Sequence, residues 1–190
     1  MTESRTNRDP AKGESTGLHP REVIDAINRL LPPETLIYCD IGGVTAWVTQ
    51  YIRRDVPGTF FTDTVCGSMD YAIPAAIGGK LGKPDTPVCA LVGDGGALMG
   101  SILEVFSAVE QSVPVSVIVF NDGGWGMVEH GIRQSPFREA TRPSYRFRTR
   151  VDFAQLARAL NARGVTVNTL PQLRASLRLC VAPELPTVLD

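Results

Sequence analysis

Val88-Cys89-Ala90-Leu91-Val92-Gly93-Asp94-Gly95-Gly96 is the stretch that decides the fold. Successive side chains of a strand point to opposite faces, so an unbroken apolar run implies burial on both. Such strands belong to parallel sheets covered by helices on each side. The run stops at glycine and an acid, as expected where a strand turns sharply toward a helix.

Similar runs recur outward from this one: Leu36–Cys39, Thr59–Phe61, Val115–Phe120, Val165–Val167 and Thr187–Leu189. Between most of them lie segments with helical spacing, about Thr45–Arg53, Tyr71–Leu81, Ser101–Gln111, Asp152–Asn161 and Pro171–Leu179. A further helix starts near Pro20, with Val23, Ile24, Ile27, Leu30 and Leu31 on one face, and Pro32-Pro33 stops it. The fold class is therefore α/β, a parallel sheet of about six strands with helices on both faces. Residues 1–18 are polar and charged and are expected to form a mobile tail, leaving residues 19–190 as one domain. The segment Gly131–Arg150 lacks a regular pattern, is rich in arginine, and reads as a long functional or partner-facing loop.

The 190 residues carry a net charge of −1, which gives no electrostatic case for nucleic acid. The longest apolar runs are too short to span a bilayer, and the amino-terminal stretch has no apolar core of a leader. Cys39, Cys66, Cys89 and Cys180 are scattered without a paired motif, which argues against zinc or iron–sulfur ligation and fits a reduced, cytoplasmic setting.

Ligands of open parallel sheets bind beyond the carboxyl ends of the strands. Glycine clusters mark those ends here: Asp40-Ile41-Gly42-Gly43, Gly93-Asp94-Gly95-Gly96 and Asn121-Asp122-Gly123-Gly124-Trp125-Gly126, with Cys66-Gly67-Ser68-Met69 before a helix. Bare backbone amides can approach an anion closely, and a helix start adds a favourable dipole. The dinucleotide pattern fails at Leu98 and the P-loop pattern at Ile77 and Pro84. Asp94 and Asp122, 28 positions apart across one strand–helix–strand unit, can converge at one sheet edge. Two carboxylates, a carbonyl and phosphate oxygens make a hard site suited to Mg²⁺, although either acid alone is also what a helix cap requires.

These residues carry a family resemblance. Gly93-Asp94-Gly95 followed by Asn121-Asp122, together with Gly67-Ser68-Met69-Asp70-Tyr71-Ala72-Ile73-Pro74 and Lys83-Pro84-Asp85, resembles the diphosphate-binding domain of thiamine-diphosphate enzymes. The similarity is to the acetolactate synthase, pyruvate decarboxylase and sulfopyruvate decarboxylase group and runs from about Pro20 to Asp190. It implies thiamine diphosphate and Mg²⁺ as cofactors, with Asp94, Asp122 and the Gly124 carbonyl as metal ligands, while the spacing keeps Asn121 as an alternative to Asp122. It further implies that Gly67, Ser68 and Met69 meet the aminopyrimidine, with Met69 wedged beneath the bent cofactor. Gly93, Gly95, Gly96, Trp125, Gly126 and Met127 would line the diphosphate, and Gly42 and Gly43 would approach from the neighbouring strand.

Asp70 departs from the pattern, which often has glycine after the methionine; its carboxylate either alters local electrostatics or turns outward. The Glu that activates the aminopyrimidine belongs in this family to a separate pyrimidine-binding domain, and Glu104, Glu110, Glu129 and Glu139 lie within the diphosphate-domain pattern. The resemblance therefore implies one subunit of a split enzyme, a hetero-oligomer with two copies of each chain, acting on a small 2-oxo acid by decarboxylation or carboligation. A subunit of a 2-oxo acid oxidoreductase and a non-catalytic scaffold of the same fold are the alternatives. Glu129 and His130 follow Gly126-Met127 and are candidate catalytic residues at the mouth of the site, although a lone histidine is more often structural.

Overall fold

A computed structural model describes residues 17–136 and 145–190. The chain order is α1 (Pro20–Leu30), β1 (Leu36–Cys39), α2 (Gly43–Tyr51), β2 (Phe60–Thr62), α3 (Ala72–Gly82), β3 (Val88–Gly93) and α4 (Asp94–Leu98). It continues through α5 (Glu104–Glu110), β4 (Ser116–Phe120), α6 (Gly126–Gln134), α7 (Phe153–Ala159), β5 (Arg163–Val165), α8 (Leu170–Leu179) and β6 (Thr187–Leu189). The six strands form one sheet in the order β2-β1-β3-β4-β6-β5, every neighbouring pair parallel.

The alternation read from the sequence resolves into two cores. One face of the sheet turns Tyr38, Val88, Ala90, Val92, Val117, Val119 and Val188 toward α3, α5 and α7, including the fully buried Phe153. The other turns Ile37, Cys39, Cys89, Leu91, Ile118 and Leu189 toward α1, α2 and α8. Leu18 already packs against this second core, whereas the expected tail at residues 1–16 lies outside the described residues. No helix among the described residues is long and apolar enough to cross a membrane.

Four local expectations shift. The edge strand β5 forms at Arg163–Val165 rather than Val165–Val167, because Gly164 lies so close to α7 that a Cβ there would overlap the Ala154 carbonyl. The helix expected over Ser101–Gln111 is a 3-10 turn at Ser101–Leu103 followed by α5, and Gly100, at φ 143°, separates it from α4. Helix α2 begins two residues earlier than expected, at Gly43. The segment expected to be irregular from Gly131 begins inside α6, a helix whose Gly126 and Gly131 and polar composition hide its period. Arg138, Glu139, Arg142 and Pro143 of that segment lie outside the described residues.

Candidate functional site

Connections from β1 and β3 diverge to opposite sides of the sheet, so the strand order reverses between them. That point is where open α/β sheets leave a crevice beyond their carboxyl ends. Gly42 and Gly93 face open space there, a Cβ at either meeting nothing within 4 Å. Gly43 runs close to the next wall, an added Cβ lying 3.7 Å from the Met127 nitrogen.

Asp94 follows β3 directly and is 2% exposed. Gly95 N–H donates to its Oδ1 at 2.8 Å, and Gly123 and Gly124 N–H donate to Oδ2 at 2.7 and 3.0 Å. This carboxylate thus ties the end of β3 to the turn after β4. Burial, and then the charge of Asp122, push its pKa up to about 6 against the lowering effect of the three amides. Asp122 is more exposed; its carboxyl is also raised, first by desolvation and then by Glu129, with Arg146 opposing. An Oδ2 of Asp122 lies so near the start of α6 that a Cβ on Gly126 would stand 2.9 Å from it. Asn121 faces elsewhere: its amide donates to the Val151 carbonyl at 2.9 Å and to Asp190 Oδ1 at 2.8 Å.

The turn is held from outside by residues 145–150. Trp125 N–H donates to the Tyr145 carbonyl at 2.7 Å and Phe147 N–H to the Gly123 carbonyl at 2.9 Å, flanking an antiparallel bridge between Gly124 and Arg146. Gly124 has no alternative here, since a Cβ would overlap the Tyr145 carbonyl. The Trp125 ring meets Phe147 edge-on and covers Gly95, whose Cβ would sit 2.7 Å from the indole. Glu129 is buried, one oxygen paired with Arg133 and the other with Arg146. His130 is exposed and its Nε2 lies 2.7 Å from the Gln134 amide nitrogen.

Asp40, which the sequence marks only as a strand end, is a further functional candidate. It is fully buried, and its carboxylate accepts from Tyr71 N–H at 2.8 Å, Asp70 N–H at 3.1 Å and Ala72 N–H at 3.2 Å. Desolvation raises its pKa while these amides pull it down. The same carboxylate presses on Gly96, where a Cβ would overlap it. Asp40 therefore fixes the start of α3 and the turn that carries Gly67, Ser68 and Met69. Asp63 braces the other side of that turn, accepting from Cys66 N–H at 3.0 Å and Ser68 N–H at 3.3 Å. Gly67 and Asp70 adopt φ 66° and 74°, so glycine is favoured at the first and the aspartate is strained at the second.

A parallel sheet with bare glycine backbone at its switch point defines the class of open α/β proteins that bind ligands at this edge. Residues 40–190 match the family described as thiamine pyrophosphate enzyme, C-terminal TPP binding domain, and the chain belongs to that family. It is 31% identical over 183 residues to a sulfoacetaldehyde acetyltransferase of Alcaligenes xylosoxydans xylosoxydans, covering 91% of this chain and 29% of that protein. It is 30% identical over 181 residues to an acetolactate synthase of Bacillus subtilis, covering 95% of this chain and 31% of the relative. Thus it spans somewhat under a third of the length of either relative. The fold is shared with a thiamine diphosphate-dependent 4-hydroxybenzoylformate decarboxylase of Rhodococcus jostii RHA1, at a TM-score of 0.83 and 23% identity over 95% of this chain and 33% of that one.

The residues fit a divalent cation beside a diphosphate. Asp94 and Asp122 supply hard oxygens, Asp122 lies close enough for its charge to raise the Asp94 pKa, and Gly42 and Gly93 leave room for a ligand against the backbone.

Proposed function

We propose that this chain is the diphosphate- and Mg²⁺-binding subunit of a split thiamine-diphosphate enzyme that decarboxylates a small 2-oxo acid and releases or transfers the acyl unit. The observation that carries this reading is the convergence of Asp94 and the Asp122 turn on one crevice, joined by two amide hydrogen bonds. Asp94 and Asp122, with the Gly124 carbonyl, would hold the metal. The amides of the glycine turns would orient the diphosphate, and the turn anchored by Asp40 would present Gly67, Ser68 and Met69 to the aminopyrimidine. When bound, the cofactor supplies the electron sink that 2-oxo acid decarboxylation needs.

Asp122 is favoured over Asn121 as the second acid-side ligand because it lies close enough for its charge to act on Asp94, whereas the Asn121 amide is anchored to Val151 and Asp190. Both oxygens of Glu129 are taken by arginines, which supports a structural role for it, and His130 is left as the exposed candidate for proton transfer. The reading includes a pyrimidine-domain partner that supplies the activating Glu, an assembly of two copies of each chain, and cytoplasmic residence. The need for a further region beside this one is supported by the match of residues 40–190 to a domain described as C-terminal.

Deuterium exchange at C2 of thiamine diphosphate, followed by proton NMR, tests the reading. Slow exchange with this chain alone and fast exchange after adding a pyrimidine-domain polypeptide is the expected pattern. Fast exchange with the chain alone would overturn the requirement for a partner.

A further inference from the structure

Arg146 reaches back along the chain to the turn after β4 and to helix α6, which follow one another in sequence. Its Nη1 donates to the Asp122 carbonyl at 2.6 Å, its Nη2 pairs with the buried Glu129, and its backbone bridges Gly124. Its stem lies over Gly124, where a Cβ would come within 3.1 Å of the Arg146 Cδ. Glu129 is on α6, Asp122 is in the turn after β4, and Arg146 precedes α7. A second clasp is set alongside, Arg150 Nη2 donating to the Asn121 carbonyl at 3.0 Å.

We propose that Arg146 is a positioning residue for the metal turn. Its two-pronged guanidinium locks the Asn121–Gly124 backbone to helix α6 and thereby fixes where the Asp122 carboxylate and Gly124 carbonyl point.

Two features distinguish this from a surface ion pair. The acid partner is 6% exposed and is already neutralised by Arg133, so Arg146 is not needed merely to satisfy Glu129. The other prong reaches the main-chain carbonyl of Asp122, the residue proposed to ligate the metal. A guanidinium presents several donors in a fixed plane and can hold both acceptors at once, whereas the single ammonium of lysine cannot reproduce the fork. Removing Arg146 also removes a positive charge beside a cation site, which alone would tighten metal binding. The lysine variant keeps that charge while losing the fork, so there the loss of positioning is read alone and metal binding weakens.

The functional half of the proposal rests on the cofactor reading above, and the mechanical half rests on the contacts alone. The test compares the full wild-type chain with Arg146→Ala, Arg146→Lys and the exposed neighbour Arg148→Ala. Amide hydrogen exchange in the cofactor-free chain should accelerate about tenfold at Gly123, Gly124 and Trp125 in both Arg146 variants. Strands β3 and β4 should stay protected, and Arg148→Ala should match wild type. Where the alanine variant loosens the whole sheet, the lysine variant decides, because it keeps much of the stem over Gly124. Turn amides as protected as in wild type would overturn the proposal.

A Mn²⁺ titration with thiamine diphosphate present, read by electron paramagnetic resonance, should need about tenfold more metal in Arg146→Lys, with its melting temperature near that of wild type. Faster turn exchange with unchanged Mn²⁺ affinity would overturn the functional half. Failure of wild type itself to bind Mn²⁺ with thiamine diphosphate would overturn the cofactor reading, while the exchange data would still decide the role of Arg146.

Discussion

Replacing Asp94 by asparagine removes a charge whose environment makes folding depend on pH. The carboxyl pKa rises from the ordinary 3.8 to about 6 in the folded chain. The folded state therefore holds this proton more tightly than the unfolded state. Its contribution to stability is complete below the unfolded pKa and is lost as pH rises through the folded one. The whole swing is about 3 kcal/mol, of which about 1.3 kcal/mol falls between about pH 5 and pH 7. Asparagine has no such dependence. It does turn an amide donor toward N–H groups of Gly95, Gly123 or Gly124, a pH-independent loss of about 1–3 kcal/mol. Urea unfolding followed by circular dichroism across this range, in metal-free buffer, separates the two effects. Asp40 and Asp122 are raised in both proteins, so the difference in slope chiefly isolates Asp94 and its coupling to Asp122. Wild type should lose about 1 kcal/mol more than the variant on going from about pH 5 to pH 7. Added Mg²⁺ should restore stability to wild type at neutral pH and not to the variant. Equal slopes in the two proteins would refute the assignment of Asp94 as a carboxylate whose charge is penalised by burial and by Asp122.

Other perturbations probe the walls of the crevice. Gly96→Ala forces a methyl group into the buried Asp40 carboxylate, which is fixed by three amides, and should cost about 2–4 kcal/mol in urea unfolding. Asp70→Gly relieves a φ of 74° and removes a buried carboxylate oxygen that has no hydrogen-bond partner, so stability should rise by up to about 1 kcal/mol in the same assay. Asp122→Ala should abolish thiamine diphosphate binding, measured by calorimetry, by removing a ligand of the Mg²⁺ that the binding requires. Asn121→Ala should keep that binding while lowering the melting temperature, because it cuts the links to Val151 and Asp190.

The central strands were legible because Val88–Val92 and Val117–Val119 are apolar on both faces, which few other environments accept. Asp94 and Asp122 were legible for a related reason, standing among glycines where those strands end. The role of Asp40 was not legible. Its partners are backbone amides thirty residues away, and no side chain marks an N–H as a partner. The same holds for Gly96 and Gly124, whose need for glycine comes from Asp40 and Tyr145 and not from local backbone angles. Helix α6 was hidden by two glycines and a polar face, and it is held in place by Arg146 from across the sequence. Edge strand β5 slid by two residues because an edge has one neighbour, and helix α7 fixed its register through Gly164.

Under the proposed function, Asp94, Asp122 and the glycine turns hold a diphosphate through a divalent metal. Calorimetric titration of thiamine diphosphate into the full chain, with Mg²⁺ and then with excess chelator, tests it most directly. Saturable binding that needs Mg²⁺, and that disappears in Asp94→Ala while the circular dichroism stays that of wild type, is the predicted result. Binding of equal strength in chelator, or undiminished in the alanine variant, would contradict it.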